Sequence, residues 1–437
     1  MPRSGSRNSS RTGPLQTGHV GDPSPVTDSG SDPVRTAVPR ILFTITRYWP
    51  AVGGAELHTR ELIRGLGTRV EPVIAGHWST NRTDWLLGTT LLAPTTEQSY
   101  LDEGRVVHLI APTLRERLQN LPLVAAYYLV QRAAAASLGH VLAKHLLAAT
   151  KRVDLVHNIR GGREPLSVGS WEVARTFGVP FVLTPNHHPR WVGWRYRVFL
   201  DLYRKADALI ALTEHERSAL IQLGARQERV HVTGIGPVLA KSTDAQRARH
   251  KYSLAGRFVL FLGQKYAYKG TRPLLDSAPL VWRTHPDVSF VFVGPRTNHS
   301  KTVFRSLNDP RVREIGTVDL QDKTDLIAAC EVVCVPSSQE SFGGVLVEGW
   351  SLRKPVVAGP APAAAEVIAD GIEGFFLPVQ ASHVIAERLV WLFDHPERAL
   401  EMGERGAEKV QARFTWERLA AATESIYASL ISRSQTR

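Results

Sequence analysis

The stretch Val335-Pro-Ser-Ser-Gln-Glu340-Ser-Phe-Gly343-Gly344-Val-Leu-Val-Glu348 decides how this chain is read. It continues the apolar run Val332-Val-Cys-Val335, which reads as a buried strand, and it opens a helix carrying Val345, Leu346, Val347 and Trp350. Two glycines at a strand-to-helix turn let backbone N–H groups approach an anion closely, and the helix N-terminus adds roughly half a positive charge. Phosphate oxygens are the expected guests. Glu340 precedes the helix and Glu348 lies about one turn into it. The two carboxylates therefore flank the anion, where they can accept hydrogen bonds from the hydroxyls of a sugar or ribose. The competing reading is a capped helix with incidental acids.

The same strand–loop–helix grammar recurs on both sides. Arg40-Ile-Leu-Phe-Thr-Ile-Thr46 reads as a strand, Pro50 to Gly54 as a glycine loop, and Ala55 to Arg64 as a helix. Val153–His157, Pro180–Thr184 and Ala208–Leu212 read as further short buried strands, separated by helical stretches such as Ala133–Ala149 and Val168–Phe177. After a break at Thr233-Gly-Ile-Gly-Pro237 the series restarts: Phe258–Leu262 strand, Gly263–Gly270 loop, Thr271–His285 helix, Val288–Val293 strand, then Val332–Val335 and Pro355–Ala358. Alternation of this kind implies parallel sheets covered on both faces. The expected organisation is a disordered tail over 1–38, a doubly wound α/β domain over 39–235, a second over 236–414, and a C-terminal helix over 415–437. Thr415 is placed as that helix's N-cap, and Glu417 complements its dipole.

The chain has 437 residues, long for one domain, with 43% apolar and 22% charged residues. Its two cysteines, Cys330 and Cys334, exclude a disulfide framework, sit in an apolar run that suits burial, and fit a reducing cytoplasm. No run approaches the ~20 apolar residues of a spanning helix, and the N-terminus lacks an apolar signal region. The net charge of +12 falls mostly on the first folded half, which attracts anionic ligands or lipid surfaces. Nothing resembles a zinc spacing, an RNA-binding signature or a basic-helix array, so nucleic acid is not an expected partner.

Three further constellations carry chemistry. In Leu262-Gly-Gln264-Lys265-Tyr-Ala-Tyr-Lys269-Gly270, lysines at a strand's C-terminal edge are placed to neutralise a diphosphate leaving group. The Gly53-Gly54 loop meets a helix N-terminus, flanked by Arg47 and Glu56. Thr184-Pro-Asn186-His187-His188-Pro-Arg190-Trp191 follows a strand, which places its polar residues at the same edge. Beyond it, Trp191, Trp194, Tyr196 and Phe199 alternate with Arg195 and Arg197. That stretch suits a phosphorylated or lipid-linked ligand, an anionic membrane, or ordinary packing with solvated arginines.

Taken in order, Gly53-Gly54-Ala-Glu56, Lys269-Gly270 and Glu340 through Glu348 followed by Ser351-Leu-Arg-Lys-Pro-Val-Val357 resemble the family 4 retaining glycosyltransferases, of the glycosyltransferase group 1 type, over about residues 40–432. The resemblance implies the GT-B fold: two Rossmann-like doubly wound domains facing across a cleft, with no metal or other cofactor. It implies a nucleotide-diphosphate sugar as donor, a hexose-type sugar, and a hydroxyl acceptor, with a lipid-linked or envelope-glycan precursor among the acceptor classes. The location implied is cytoplasmic, with peripheral contact to the inner face of an anionic membrane as an extension of it.

By residue match, Glu340 faces the donor sugar and Glu348 the ribose. Phe342, Gly343, Gly344 and Val345 meet the diphosphate, joined by Lys269, Lys265, Gln264 and Gly54. The family usually has Arg where Gln264 stands, and Lys265 is the candidate replacement charge. The family commonly places a histidine about where Asn186 stands, so His187 is the candidate that orients hydroxyls and His188 the fallback. Gly53, Asn186, His188 and Arg190 make up the acceptor side. The rival readings are a nucleotide-sugar-binding protein without turnover and a GT-B epimerase.

Overall fold

The computed structural model describes residues 38–51, 53–78, 86–160, 163–189, 191–305 and 307–436. Of the expected disordered tail, residues 1–37 lie outside these, and so does Arg190.

The first sheet contains eight strands: β1 (Arg40–Ile45), β2 (Glu71–Gly76), β3 (Gln98–Asp102), β4 (Arg105–Leu109), β5 (Leu155–Ile159), β6 (Phe181–Thr184), β7 (Ala208–Ala211) and β8 (Val230–Val232). They lie in the order β3-β4-β2-β1-β5-β6-β7-β8. Every neighbouring pair is parallel except β3 with β4. That hairpin departs from the all-parallel sheet expected from the sequence. It turns on Glu103 and Gly104, both at positive φ (52° and 78°), the geometry that reverses a chain in two residues.

The second sheet contains β9 (Phe258–Leu262), β10 (Ser289–Val293), β11 (Val312–Ile315), β12 (Val332–Val335), β13 (Val356–Ala358) and β14 (Gly374–Phe376), in the order β11-β10-β9-β12-β13-β14 and parallel throughout. Phe258, Val259, Leu260 and Phe261 have no exposed surface. A strand apolar on both faces belongs in the middle of a covered parallel sheet, and β9 occupies that place. Cys330 and Cys334 are buried beside it, free of any disulfide, with burial pushing the Cys330 thiol up to about 12.

In both sheets the chain winds outward from a central strand in two directions, leaving a crevice at the carboxyl ends between β1 and β5 and between β9 and β12. Open α/β sheets bind ligands at such switch points.

The C-terminal helix Trp416–Gln435 connects the sheets. Thr415 caps it through the amide of Arg418 (3.4 Å), with Glu417 in its first turn. Phe414, just before it, packs edge-on against Phe342 of the second lobe (5.3 Å). The indole of Trp416 then donates to the Pro237 carbonyl (2.8 Å), and the helix lies on the first sheet beside the helix Gly54–Leu66. There the Tyr427 hydroxyl meets His157 Nδ1 at 2.6 Å, while His157 Nε2 meets the Thr184 hydroxyl at 2.8 Å.

Four histidines of the first lobe are buried, and burial depresses each: His58, His77 and His187 to about 4 and His157 to about 3. Each binds fewer protons folded than unfolded between its depressed value and the ordinary 6.5. Their stabilisation is therefore complete above about pH 6.5 and is lost as pH falls toward 4, by up to about 1.4 kcal/mol per pH unit for each group. Glu216, pushed up to about 7 by burial, works in the opposite sense and offsets one of them. Urea midpoints should drop steadily from pH 6.5 to pH 5; a flat profile would contradict the neutral, enclosed state of these rings.

Candidate active site

The second lobe builds a compact site at the switch point between β9 and β12. The helix Gly344–Ser351 starts on Gly343, which sits at φ 101°. A β-carbon there would be in a left-handed backbone and 2.9 Å from Leu346 Cδ1. Only glycine turns the chain here without strain, and it leaves the first amides of the helix open toward the crevice. On the facing loop, Gly270 at φ 76° approaches so closely that a β-carbon would lie 2.3 Å from the Pro336 carbonyl oxygen. The two loops thus touch through a glycine, and Lys269 Nζ, one residue away, reaches Glu340 Oε1 at 2.6 Å. Lys269, Glu340, Gly343, Gly344 and Val345 share a small cavity of about 70 Å³ with Gly263 and Ser337.

The remaining second-lobe candidates are placed differently. Glu348 is buried one turn into the helix and pairs with Lys323 of the helix Leu320–Ala329 at 2.6 Å, away from the cavity wall. Gln264 is exposed and does not line the cavity; its carbonyl accepts the Tyr266 amide (2.9 Å), whose ring stacks on that of Tyr268 (5.6 Å). Lys265 does not reach the cavity. Its side chain is 0% exposed, and its ammonium donates to the carbonyls of Gly294 (2.8 Å) and Ile315 (2.7 Å) and to Glu314 Oε1 (3.3 Å). Burial lowers its pKa, with Glu314 pulling the other way. The lysine ties three strand ends together, and the geometry assigns the cavity's cation to Lys269 alone of the two. The Phe342 ring also turns inward, against Phe414, and Phe342 does not line the cavity.

The first lobe presents its own carboxyl edge. Gly53 lies over Glu56, where an added β-carbon would come within 2.3 Å of Oε2, whereas Gly54 faces open space. Glu56 is buried and paired with Arg47, through Nη2 at 2.6 Å and Nε at 2.9 Å. Asn186 stands in the left-handed region at φ 47°. The His187 ring is buried, edge-on to Trp191 and Tyr203, with Nδ1 3.1 Å from the Tyr203 hydroxyl. Burial, and secondarily His188, keep it neutral. His188 reaches across to the second lobe, its ring centroid 6.3 Å from that of Tyr268.

Sequence reasoning missed Arg160. It follows β5 at φ 92°, a conformation costly for a non-glycine residue and concentrated at functional sites. It pairs with Glu164 (2.9 Å), which also receives the Thr46 hydroxyl, and its guanidinium lies 5.9 Å from the Trp191 ring centroid. No local sequence signal marks it, because its place follows from β5 lying beside β1. Lys323 was missed as well, because it meets Glu348 only through the packing of the helix Leu320–Ala329. Among the described residues, no group of three or more His, Cys, Asp or Glu is arranged to hold a metal ion.

With this geometry in hand, two family models match consecutive parts of the chain. Residues 53–236 fit the glycosyl transferase 4-like domain and residues 242–409 fit glycosyl transferases group 1. The chain belongs to the group 1 glycosyltransferases. D-inositol 3-phosphate glycosyltransferase 2 of Catenulispora acidiphila is 32% identical over 243 residues, 52% of this chain and 57% of that one. Alpha-D-kanosaminyltransferase of Streptomyces kanamyceticus is 31% identical over 225 residues, 48% and 58% of the two chains. The chain thus spans a little over half the length of these curated relatives. In fold, it superposes on Anabaena HepE, solved in complex with UDP and glucose, with a TM-score of 0.67 at 21% identity, covering 90% of this chain and all of that one. The chain therefore has the GT-B fold.

The glycine geometry yields a paired prediction. Gly270→Ala should destabilise the chain by about 2 kcal/mol or more, through its left-handed backbone and the clash with Pro336. Gly54→Ala, in open space at a helix start, should be neutral or stabilising by up to about 1 kcal/mol. Chemical denaturation of the two variants checks this; equal effects would contradict the loop contact.

Proposed function

We propose that this glycosyltransferase moves a hexose-type sugar from a nucleotide-diphosphate sugar to an acceptor hydroxyl, with retention of configuration and without a metal ion. The observation that carries the reading is the Lys269–Glu340 pair, set against the amides of Gly343, Gly344 and Val345 in one cavity. A diphosphate seated there meets an ammonium and a helix N-terminus, the positive charge that stabilises its departure. Glu340 then accepts hydrogen bonds from sugar hydroxyls, and Glu348, one turn deeper, from the ribose. That HepE was crystallised with UDP and glucose supports the donor class.

In the proposed step the acceptor oxygen attacks the anomeric carbon on the face from which the diphosphate leaves. The bond from C1 to the phosphate oxygen breaks, the bond from C1 to the acceptor oxygen forms, and the acceptor proton passes to the departing phosphate. No strong base is needed, which suits a neutral His187 acting as an orienting group. Gly53, Asn186, His188 and Arg190 serve the acceptor side, and Gly54 the donor side.

Glu340→Ala should abolish transfer and Lys269→Met should lower kcat by about 10²–10³-fold, while EDTA leaves the unaltered enzyme active. Nucleotide release should require an added acceptor. Release without one would favour the epimerase reading, and binding of nucleotide sugar with no product under any acceptor would favour a binding protein.

The acceptor is read as lipid-linked, presented at an anionic membrane on its cytoplasmic side. The helix Leu114–Ala125 exposes Leu114 and Leu118, and the segment after it exposes Leu129, 88% accessible. Beside it Tyr128 and Trp194, the latter 53% exposed, pack at 5.2 Å. Arg195 lies 5.7 Å from the Tyr128 ring centroid, and Arg115, Arg132 and Arg197, near these groups in sequence, are exposed. Apolar and aromatic groups accompanied by arginines suit an acidic lipid interface. No helix among the described residues is long and apolar enough to cross a membrane, so the contact would be peripheral. The chain should co-sediment with phosphatidylglycerol vesicles more than with phosphatidylcholine, and Leu129→Asp with Trp194→Ser should remove the difference. Retained binding in that double variant would place the contact elsewhere.

A further inference from the structure

One carboxylate at the first lobe's edge is committed wholly to backbone. Glu216, buried on the helix Glu214–Gln222, accepts the His187 amide at Oε1 (2.5 Å) and the Leu212 amide at Oε2 (2.7 Å). Its own amide is capped by the Thr213 hydroxyl (3.0 Å). The carboxylate thus joins the chain after β6 to the chain after β7. The segment it holds needs holding, because Asn186 is in the left-handed region and the next amide, that of His187, points into the interior. A buried amide left without an acceptor costs about 1–3 kcal/mol, enough to release such a turn.

The same helix is gripped by the other lobe. Glu366, on the helix Pro362–Val367 after β13, accepts the amides of Glu214 and His215, each at 2.9 Å. That short helix also lends Ala364 to the cavity of Lys269 and Glu340. Two routes therefore tie His187–His188 to the second lobe. One is the ring contact of His188 with Tyr268, next to Lys269. The other runs from Glu366 through the helix start to Glu216 and the His187 amide.

We propose that Glu216 is a positioning residue, which holds the Asn186–His188 turn and, with Glu366 gripping the same helix, registers that turn against the donor cavity. The inference rests on reading the cleft as a sugar-transfer site only where it concerns rates; the holding of the turn stands apart from that reading. Glu216 acts through the His187 backbone and touches no reacting atom.

Hydrogen exchange on the full ligand-free chain tests the holding directly. Glutamine at 216 keeps one acceptor oxygen but turns an N–H donor toward the other amide. Glu216→Gln should speed exchange at residues 186–188 by about tenfold or more, with residues 343–347 unchanged. Glu366→Gln, a change at an exposed side chain, should speed exchange at 214–216 and, more weakly, at 186–188. In transfer assays Glu216→Gln should change kcat or acceptor KM by about tenfold while donor affinity by calorimetry stays within about twofold, a split that general loosening would not produce. Unchanged exchange at 186–188 in a folded Glu216→Gln overturns the positioning role. If that variant does not fold, Glu366→Gln decides: unchanged exchange at both segments overturns the coupling between lobes. An unaltered chain with no transfer activity would remove the catalytic reading and leave the exchange result to decide on Glu216.

Discussion

The ion pair between Lys269 and Glu340 joins the charged tips of the loops that follow β9 and β12, and the second lobe's site is built on it. The loops belong to neighbouring strands at a switch point, and the Ser338 amide donates to the Tyr268 carbonyl (2.8 Å) between them. The glycine contact at Gly270 sets how near they can come, and the pair sets where the charges meet. Half-buried, the two ions are better partnered than solvated, since removing one would strand the other in a poor dielectric. In the proposed reaction the incoming diphosphate replaces Glu340 as the partner of Lys269, which frees the carboxylate for sugar hydroxyls. The resting pair keeps both groups aimed before the donor arrives, so their ordering is not charged against binding.

Pairing of this kind also explains how a chain of net charge +12 presents a restrained cleft. Arg47 is held by Glu56, Arg160 by Glu164 and Lys323 by Glu348. Lys265 is enclosed among carbonyls. These cations are therefore committed at short range, while Arg115, Arg132, Arg195 and Arg197 are exposed.

The second lobe was legible because its signals are local. A strand, two glycines and a helix written consecutively from Val335 to Glu348 determine both the turn and its open amides, and β9 and β12 fall where their apolar runs stand. What failed to read was anything set by strand order. Lys265 and Lys269 look alike in sequence, yet the side chain at 265 is captured by the ends of β10 and β11, whose position beside β9 no local pattern reveals. Phe342 sits in the right loop but finds Phe414, some seventy residues later. Arg160 reached the site because β5 pairs with β1 across more than a hundred residues. The β3–β4 hairpin was hidden by a Glu-Gly turn that lacks the strongest hairpin residues.

These long-range placements meet in the Asn186–His188 turn. Its histidines are written plainly in the sequence, yet what each can do is decided by partners drawn from four other segments: Tyr203, Glu216, Tyr268 and, one contact further, Glu366. A neutral ring fixed on one side by a hydroxyl, and on its backbone by a carboxylate, has little freedom left to follow a substrate. The lobes must then come to the ring. Phe414 and Trp416 lie where the chain passes from the second lobe back to the first, and Tyr427 fastens the helix beyond them under the first sheet, so relative movement of the lobes has to work against these contacts. The turn is thus held through Glu216 on its own lobe, and the amides of Glu214 and His215 at the start of the same helix are held by Glu366 of the other, so two backbone contacts and not a cavity side chain set the register of His187 against the loop of Lys269.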